Sequence, residues 1–378
     1  MLKKRLVRLA VAAGLLMGST GLSACGSDSG AGPDDAKLTV GLVMVGSARD
    51  AGYNQAVAEA ADKVKKDLGV NVITAEQIPE NNNVTQTMQA MVTQGAKVIF
   101  ATSYGYLPYA QKFAEANPDV VVLHQGGYVT TEFPKNFGTY WGQSYDPVSL
   151  GGMAAGGVTK SGKLGFIYAF PIGQTVANIN AFQLGAQKVN PNVTTYVENT
   201  SSWCDPLKQK QAVSALVAQG VDVFSNHQDC QATIIQAVKS AGAKLVGYHY
   251  DANALHPDGW LTGSAWNWAP LYEQEIKAIQ EGRFAGSEFN TNWLGSFGDG
   301  NNPIELASFG KSVNSDLRAK IKAQEEELKK PGAATFVGPI YCQDGSVLVP
   351  AGKKATYADV HAWSCLVKGV VGSLPKNN

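Results

Sequence analysis

The chain has 378 residues, with 31 Lys and Arg against 31 Asp and Glu. Lys3, Lys4, Arg5 and Arg8 all fall at the very start, so the remainder carries a small acidic excess and no basic field for nucleic acid. After the first thirty residues no run of ~20 apolar residues occurs, which excludes a helical membrane-spanning body. The length left exceeds the ~250–300 residues at which a single core stops growing, which predicts two lobes.

The basic start is followed by an uncharged apolar stretch, Leu9 to Leu22, and then Leu22-Ser-Ala-Cys25. A charged start, a short apolar core and small residues before a cut site predict a secretory signal over residues 1–24. The cysteine at the cut resembles the lipobox of bacterial lipoproteins, in which the thiol takes a diacylglycerol and becomes the mature N-terminus. An ordinary cleaved signal with a chance cysteine is the competing reading. Gly26 to Ala36 is rich in Gly, Ser and Asp, so residues 25–37 are read as a flexible, lipid-anchored tether on the outer face of a membrane.

Beyond the tether, apolar runs of strand length alternate with helical periodicity. Strands are predicted at 38–45, 70–75, 97–102 and 120–124, with helices at 53–68, 83–94 and 108–117 between them. The series then restarts. Helices are predicted at 147–158, 176–189, 206–219 and 230–241, and strands at 163–169, 193–198, 221–225 and 244–248. Fully apolar strands alternating with helices imply parallel sheets covered on both faces. The fold class is therefore α/β, with two doubly wound lobes, a hinge and a cleft between them. Lobe 1 is placed at 38–143 with a return segment at about 253–285, and lobe 2 at 144–252. Segments within 286–378 are expected to complete lobe 2, their assignment left open. The chain is expected to cross near 140–146 and 250–256. A helix at 270–281, a charge-rich solvated helix at 320–330 and a late strand and turn at 338–345 complete the reading.

Four cysteines follow Cys25: Cys204, Cys230, Cys342 and Cys365. An even count in an exported chain predicts disulfides. Three pairings exist, and the spacing favours Cys204–Cys230 with Cys342–Cys365. No CxxC or HxxxH spacing points to a metal.

Ligands of open α/β sheets sit past the carboxyl ends of the strands. The loops there are Gly46–Asn54, Thr102–Tyr106, His124–Tyr128, Tyr168–Ile172, Ser201–Asp205, Asn226–Asp229 and His249–Asp251. Aromatic residues recur in them beside Asp, Gln, His and Ser, which suits a flat polar heterocycle. Asp50, Phe170 and Gln228 are candidates from this pattern, and Trp268 is a further candidate outside these loops. Asp205 before Pro206 also reads as a helix cap, and His124 and His249 read as structural. Neither a dinucleotide nor a triphosphate fingerprint occurs, no cofactor is called for, and no nucleophile stands beside a recognisable base.

The order of lipobox, tether, KLTVGLVMVG, TSYGY, FVGPI and a late QDG resembles the basic membrane protein family of solute-binding lipoproteins, in its purine-binding branch. The resemblance covers the mature chain. It implies a type I periplasmic-binding fold, an ABC permease as partner, and a purine base or nucleoside held between the lobes of a monomer. On matching motif positions it implies ligand contacts from Tyr53, Ser103, Tyr104, Trp203, Asp205, His227, Asp229 and Asp251. The first loop departs from the pattern, with Ala51 where Phe is expected. Binding of another polar solute, such as a sugar, and a surface-anchored hydrolase are the alternatives.

Overall fold

The computed structural model describes residues 37–375. The predicted signal sequence, Cys25 and the predicted tether up to residue 36 lie outside the described residues. In chain order the first elements are β1 (Thr39–Met44), α1 (Tyr53–Leu68), β2 (Asn71–Ala75), α2 (Asn83–Thr93), β3 (Ala96–Thr102), α3 (Leu107–Ala116), β4 (Val121–Gln125) and β5 (Phe137–Gly142). Then come α4 (Tyr145–Val158), β6 (Lys163–Tyr168), α5 (Gly173–Gln187), β7 (Thr194–Asn199), α6 (Pro206–Ala218), β8 (Val223–His227), α7 (Gln231–Ser240), β9 (Lys244–Gly247) and β10 (Trp260–Trp266). The remainder is α8 (Ala269–Gln280), β11 (Asn292–Gly295), β12 (Ile304–Leu306), α9 (Ser315–Leu328), β13 (Ile340–Tyr341), β14 (Val347–Val349), α10 (Tyr357–His361) and β15 (Val370–Val371).

Two sheets result. The first has strand order β11-β5-β4-β3-β1-β2, and the second β12-β10-β9-β8-β6-β7-β15. Pairing is parallel throughout both except at β12, which runs antiparallel to β10. β1 shows why its apolar run forms an inner strand. Leu42 and Met44 enter a core that includes α1, while Val43 points to the opposite core under α2 and α3. Both faces are covered, so both must be apolar. The second sheet repeats the device. Phe166 packs against Phe182 of α5, and Ile167 faces α6 and α7.

α4 and α5 approach more closely than ordinary helices. A Cβ on Gly152 would stand 2.2 Å from the carbonyl oxygen of Phe182, and one on Gly185 1.9 Å from that of Ser149. The Gly/Ala content of α4 is thus a packing requirement, since only hydrogen fits between the two backbones.

The chain passes between the sheets three times, at residues 143–144, 267–268 and 296–303. The second passage falls later than the expected 250–256. Trp260–Trp266 adds a strand to the second sheet, so the return to the first begins at α8 and not near 253. The segments after 286 divide: β11 joins the first sheet and β12 the second. The passages are packed by rings. Trp266 stacks on Trp268 at 4.2 Å, and Trp141 lies 4.6 Å from Trp266. Asp146 at the start of α4 braces the third passage. It accepts from Phe297 N at 3.2 Å, Asn302 Nδ2 at 3.4 Å and Thr335 Oγ1 at 2.6 Å. Burial pushes its carboxyl up to about 6.

Both disulfides pair as the spacing favoured, Cys204 with Cys230 and Cys342 with Cys365, at Cα separations of 5.4 and 5.9 Å. Among the described residues no group of His, Cys, Asp or Glu is arranged to hold a metal, and no helix is long and apolar enough to cross a membrane.

Candidate functional site

Between the lobes lies a small, tightly closed cavity. Lobe 1 lines it with Tyr53, Ser103, Tyr104, Gln125, Gly126 and Trp141. Lobe 2 contributes Ile172, Gln174, Trp203, His227, Asp229 and His249. Most of these residues lie at or just past the carboxyl end of a parallel strand, where backbone groups leave the ladder and side chains are free to converge. Two of the loops are tied together. Cys204 follows Trp203 and Cys230 follows Asp229, so their disulfide joins the two loops, and Asp229 N donates to Trp203 O at 2.9 Å. Cys230 and His249 both hold left-handed backbone, at φ 53° and 74°, the local strain that tight functional loops retain.

The polar atoms have defined roles. Asn178 Oδ1 accepts from Ser144 Oγ at 2.9 Å, so its amide nitrogen faces His227 Nδ1 at 3.0 Å. That leaves the ring proton on His227 Nε2, a donor with no partner among the described residues. His249 Nδ1 accepts from Trp266 Nε1 at 2.8 Å, and by the same logic its Nε2 carries a proton. Burial holds both rings neutral: His227 is lowered to about 3 and His249 well below its ordinary value. Gln125 Oε1 accepts from Tyr140 and Tyr272, each at 2.9 Å, while its buried Nε2, near the Tyr53 hydroxyl, makes no close hydrogen bond. Asp229 is the facing acceptor. Burial, and then the Asp50 carboxylate, hold it well above the usual carboxyl range, against a 3.2 Å hydrogen bond from Asn54 Nδ2. No lysine or arginine lines the cavity, so it offers nothing to neutralise a phosphate.

Of the candidate residues, Tyr53, Ser103, Tyr104, Trp203, His227 and Asp229 meet at this cavity. Phe170 stands behind Trp203, edge-on at 4.9 Å. Gln228 points away, bonded to Gln209 and Thr200. Asp50 commits its oxygens to the start of α1, accepting from Gly52 N at 2.8 Å and Asn54 Nδ2 at 2.8 Å. Asp205 caps α6 through Leu207 N and Lys208 N. Asp251 holds Asn253 N and Ser308 N. Trp268 belongs to the ring stack between the lobes and is fully buried there. Gln125, Trp141 and Gln174 line the cavity without having been singled out, and His249, read as structural, lines it as well. Glu80 was also missed. It accepts from Ser103 Oγ at 2.6 Å and, across the cleft, from Trp203 Nε1 at 3.1 Å.

Two doubly wound lobes, three connecting passages and a neutral, aromatic cavity at the strand ends define a solute-binding protein of the type I periplasmic-binding fold. A family model for PnrA-like ABC transporter substrate-binding proteins, named Bmp, matches residues 37–300. The chain belongs to that family, whose members work outside the cytoplasm and bind solutes without transforming them. It is 32% identical over 349 residues to a purine-binding protein of Brucella abortus (strain 2308), covering 92% of this chain and 97% of that one. It is 27% identical over 347 residues to a putative ABC transporter glucose-binding protein of Haloferax volcanii, covering 92% of this chain and 84% of the other. Its fold matches that of an ABC transporter solute-binding protein from Aeropyrum pernix K1 with a TM-score of 0.67 at 18% identity, over 77% of this chain and 91% of that one.

Proposed function

We propose that the protein captures a purine nucleobase or nucleoside between its lobes and delivers it to an ABC permease. The observation that carries this reading is the buried, unpartnered amide of Gln125 in the same cavity as the His227 and His249 N–H donors and the Asp229 carboxyl. A buried donor without an acceptor costs about 1–3 kcal/mol, and a purine edge supplies ring-nitrogen and carbonyl acceptors beside N–H donors. Tyr53, Tyr104, Trp141 and Trp203 provide ring faces for stacking. The purine-binding relative from Brucella abortus supports the same ligand class.

A thermal-shift panel of purine bases, purine nucleosides, pyrimidines and glucose tests it. A ligand at 100 times its Kd stabilises by about 2.7 kcal/mol, a rise of a few degrees in Tm for a chain of this size. A shift with glucose and none with any purine sinks the purine reading. The lipid on Cys25 would keep this monomeric binder close to its permease. Metabolic labelling with an alkyne fatty acid should mark the wild-type chain and leave Cys25→Ser unlabelled in the soluble fraction.

A further inference from the structure

The family model ends at residue 300, and the chain beyond it returns to the cleft. From Phe336 to Val371 it forms a compact segment fixed to lobe 2. β15 extends the second sheet beside β7, Cys342 is joined to Cys365, and Trp363 packs on Phe336 at 4.6 Å. Asn180 of α5 grips it from both sides. Its Nδ2 donates to Cys365 O at 3.1 Å, and its Oδ1 accepts from Val367 N at 2.9 Å. At Gly173 a Cβ would lie 2.5 Å from the carbonyl oxygens of Val360 and His361, so the segment rests directly on the backbone where α5 begins.

Its tip reaches the other lobe. The His361 ring lies 4.9 Å from that of Tyr128, at 26°, and 6.4 Å from that of Tyr104, at 20°. Tyr357 meets Tyr128 edge-on at 5.5 Å. Its hydroxyl also accepts from Gln174 Nε2 at 3.0 Å, the same nitrogen that donates across the cleft to Gly126 O at 2.9 Å. Tyr104, Gly126 and Gln174 all line the cavity. Burial lowers His361 to about 4, so the ring stacks as neutral imidazole.

We propose that this disulfide-stapled segment is an outer brace of the binding site, a clasp carried by lobe 2 that seats His361 against Tyr128 and Tyr104 of lobe 1, with His361 and Tyr357 as positioning residues for Tyr104 and Gln174. The clasp then holds the closed form and slows solute release. Its effect on release rests on the purine reading; its effect on closure does not.

The test uses the full mature chain with His361→Ala, Tyr128→Ala and, as control, Tyr128→Phe, all checked for native Tm. Purine bases and nucleosides are the probes, with release followed by chase and closure by small-angle scattering of the protein as purified. Both alanine variants should release the bound purine about tenfold faster, the scale expected for losing aromatic pairs. Association should stay within about twofold, since interface changes act mainly on release, and Tyr128→Phe should match wild type. Unchanged release in both alanine variants overturns the clasp. If no purine or nucleoside binds the wild-type chain, the ligand reading falls and scattering decides. More expanded alanine variants then support the clasp, and curves superposable on wild type overturn it.

Discussion

Gln125 and His124 are adjacent in β4, and a strand sends neighbours to opposite faces. His124 Nε2 bonds Ser103 O at 2.8 Å inside lobe 1, while Gln125 lines the cavity. The site chemistry therefore turns on single-residue register. Trp203 is the residue most exposed to a direct test. Its indole N–H is taken by Glu80, which leaves the ring faces for the solute. Trp203→Ala should weaken purine binding at least tenfold by calorimetry, the range for losing one stacked ring, whereas Trp203→Phe should retain most of it. Unchanged affinity in the alanine variant would assign Trp203 to packing alone.

A pH effect also belongs to this scale. Burial lowers His124 to about 4, below the ordinary histidine value of about 6.5. As pH falls, the unfolded chain takes up that proton first, so stability present above pH 6.5 is lost between there and 4. Asp146, held up at about 6, works the other way: its contribution is present below the ordinary carboxyl range and is lost as pH rises through 6. The two trends oppose each other, so the measurement is a difference. Between pH 7 and 5 the urea midpoint of His124→Gln should fall less than that of wild type. Parallel slopes would mean that folded His124 titrates normally.

Among the elements, α4 and α5 make the strictest demand on sequence. Gly152→Ala or Gly185→Ala should destabilise by about 1–3 kcal/mol in urea unfolding, as overpacking does, whereas a Gly→Ala change at a compatible helix position stabilises. The Cys204–Cys230 link serves the loops that carry Trp203 and Asp229. Replacing both cysteines by serine should lower stability by about 3–4 kcal/mol; a larger share of the effect should appear in solute affinity than for the same change at Cys342 and Cys365. The helices and inner strands were legible because their periodicity is unbroken: α1 spans the expected 53–68. β5, β10, β11 and β12 were not. β5 reads FGTYWG and β10 WLTGSAW, where glycine and aromatic residues replace the aliphatic run, because these strands lie beside the passages between the lobes and pack rings there. The strand-end loops that carry the site were legible, but which side chain each turns inward was not. Asp205 and Asp251 fit a ligand motif by type, yet the backbone N–H groups beside them claim their oxygens. Gln125 and Trp141 depend on strand register, which no loop motif reveals.

For the whole molecule, length and the restart of the strand–helix series predicted two lobes, but not how the chain shares itself between them. The third passage is invisible to periodicity, since the four residues of β11 are all that return to the first sheet before the chain leaves again. What binds the lobes in the closed form lies mostly in polar pairs far apart in sequence, such as Asn54 with Asp229 and Glu80 with Trp203. Glu80→Gln removes the charge from one such pair. It should raise the solute Kd through faster release in a chase experiment and lower Tm by a few degrees, since Glu80 is half-buried and also accepts from Ser103 Oγ and Gly105 N.

Of the two lobe sheets, only that of lobe 2 gains strands after the third passage: β12 beside β10, and β15 beside β7. Each disulfide lies wholly on one side of residue 300. A chain cut between Asp299 and Gly300 would thus fall into two pieces that share a sheet but no covalent bond, each with its own cystine. The pieces should co-purify in native buffer and separate on a non-reducing denaturing gel, so the C-terminal cover can be exchanged, labelled or left out as a separate part.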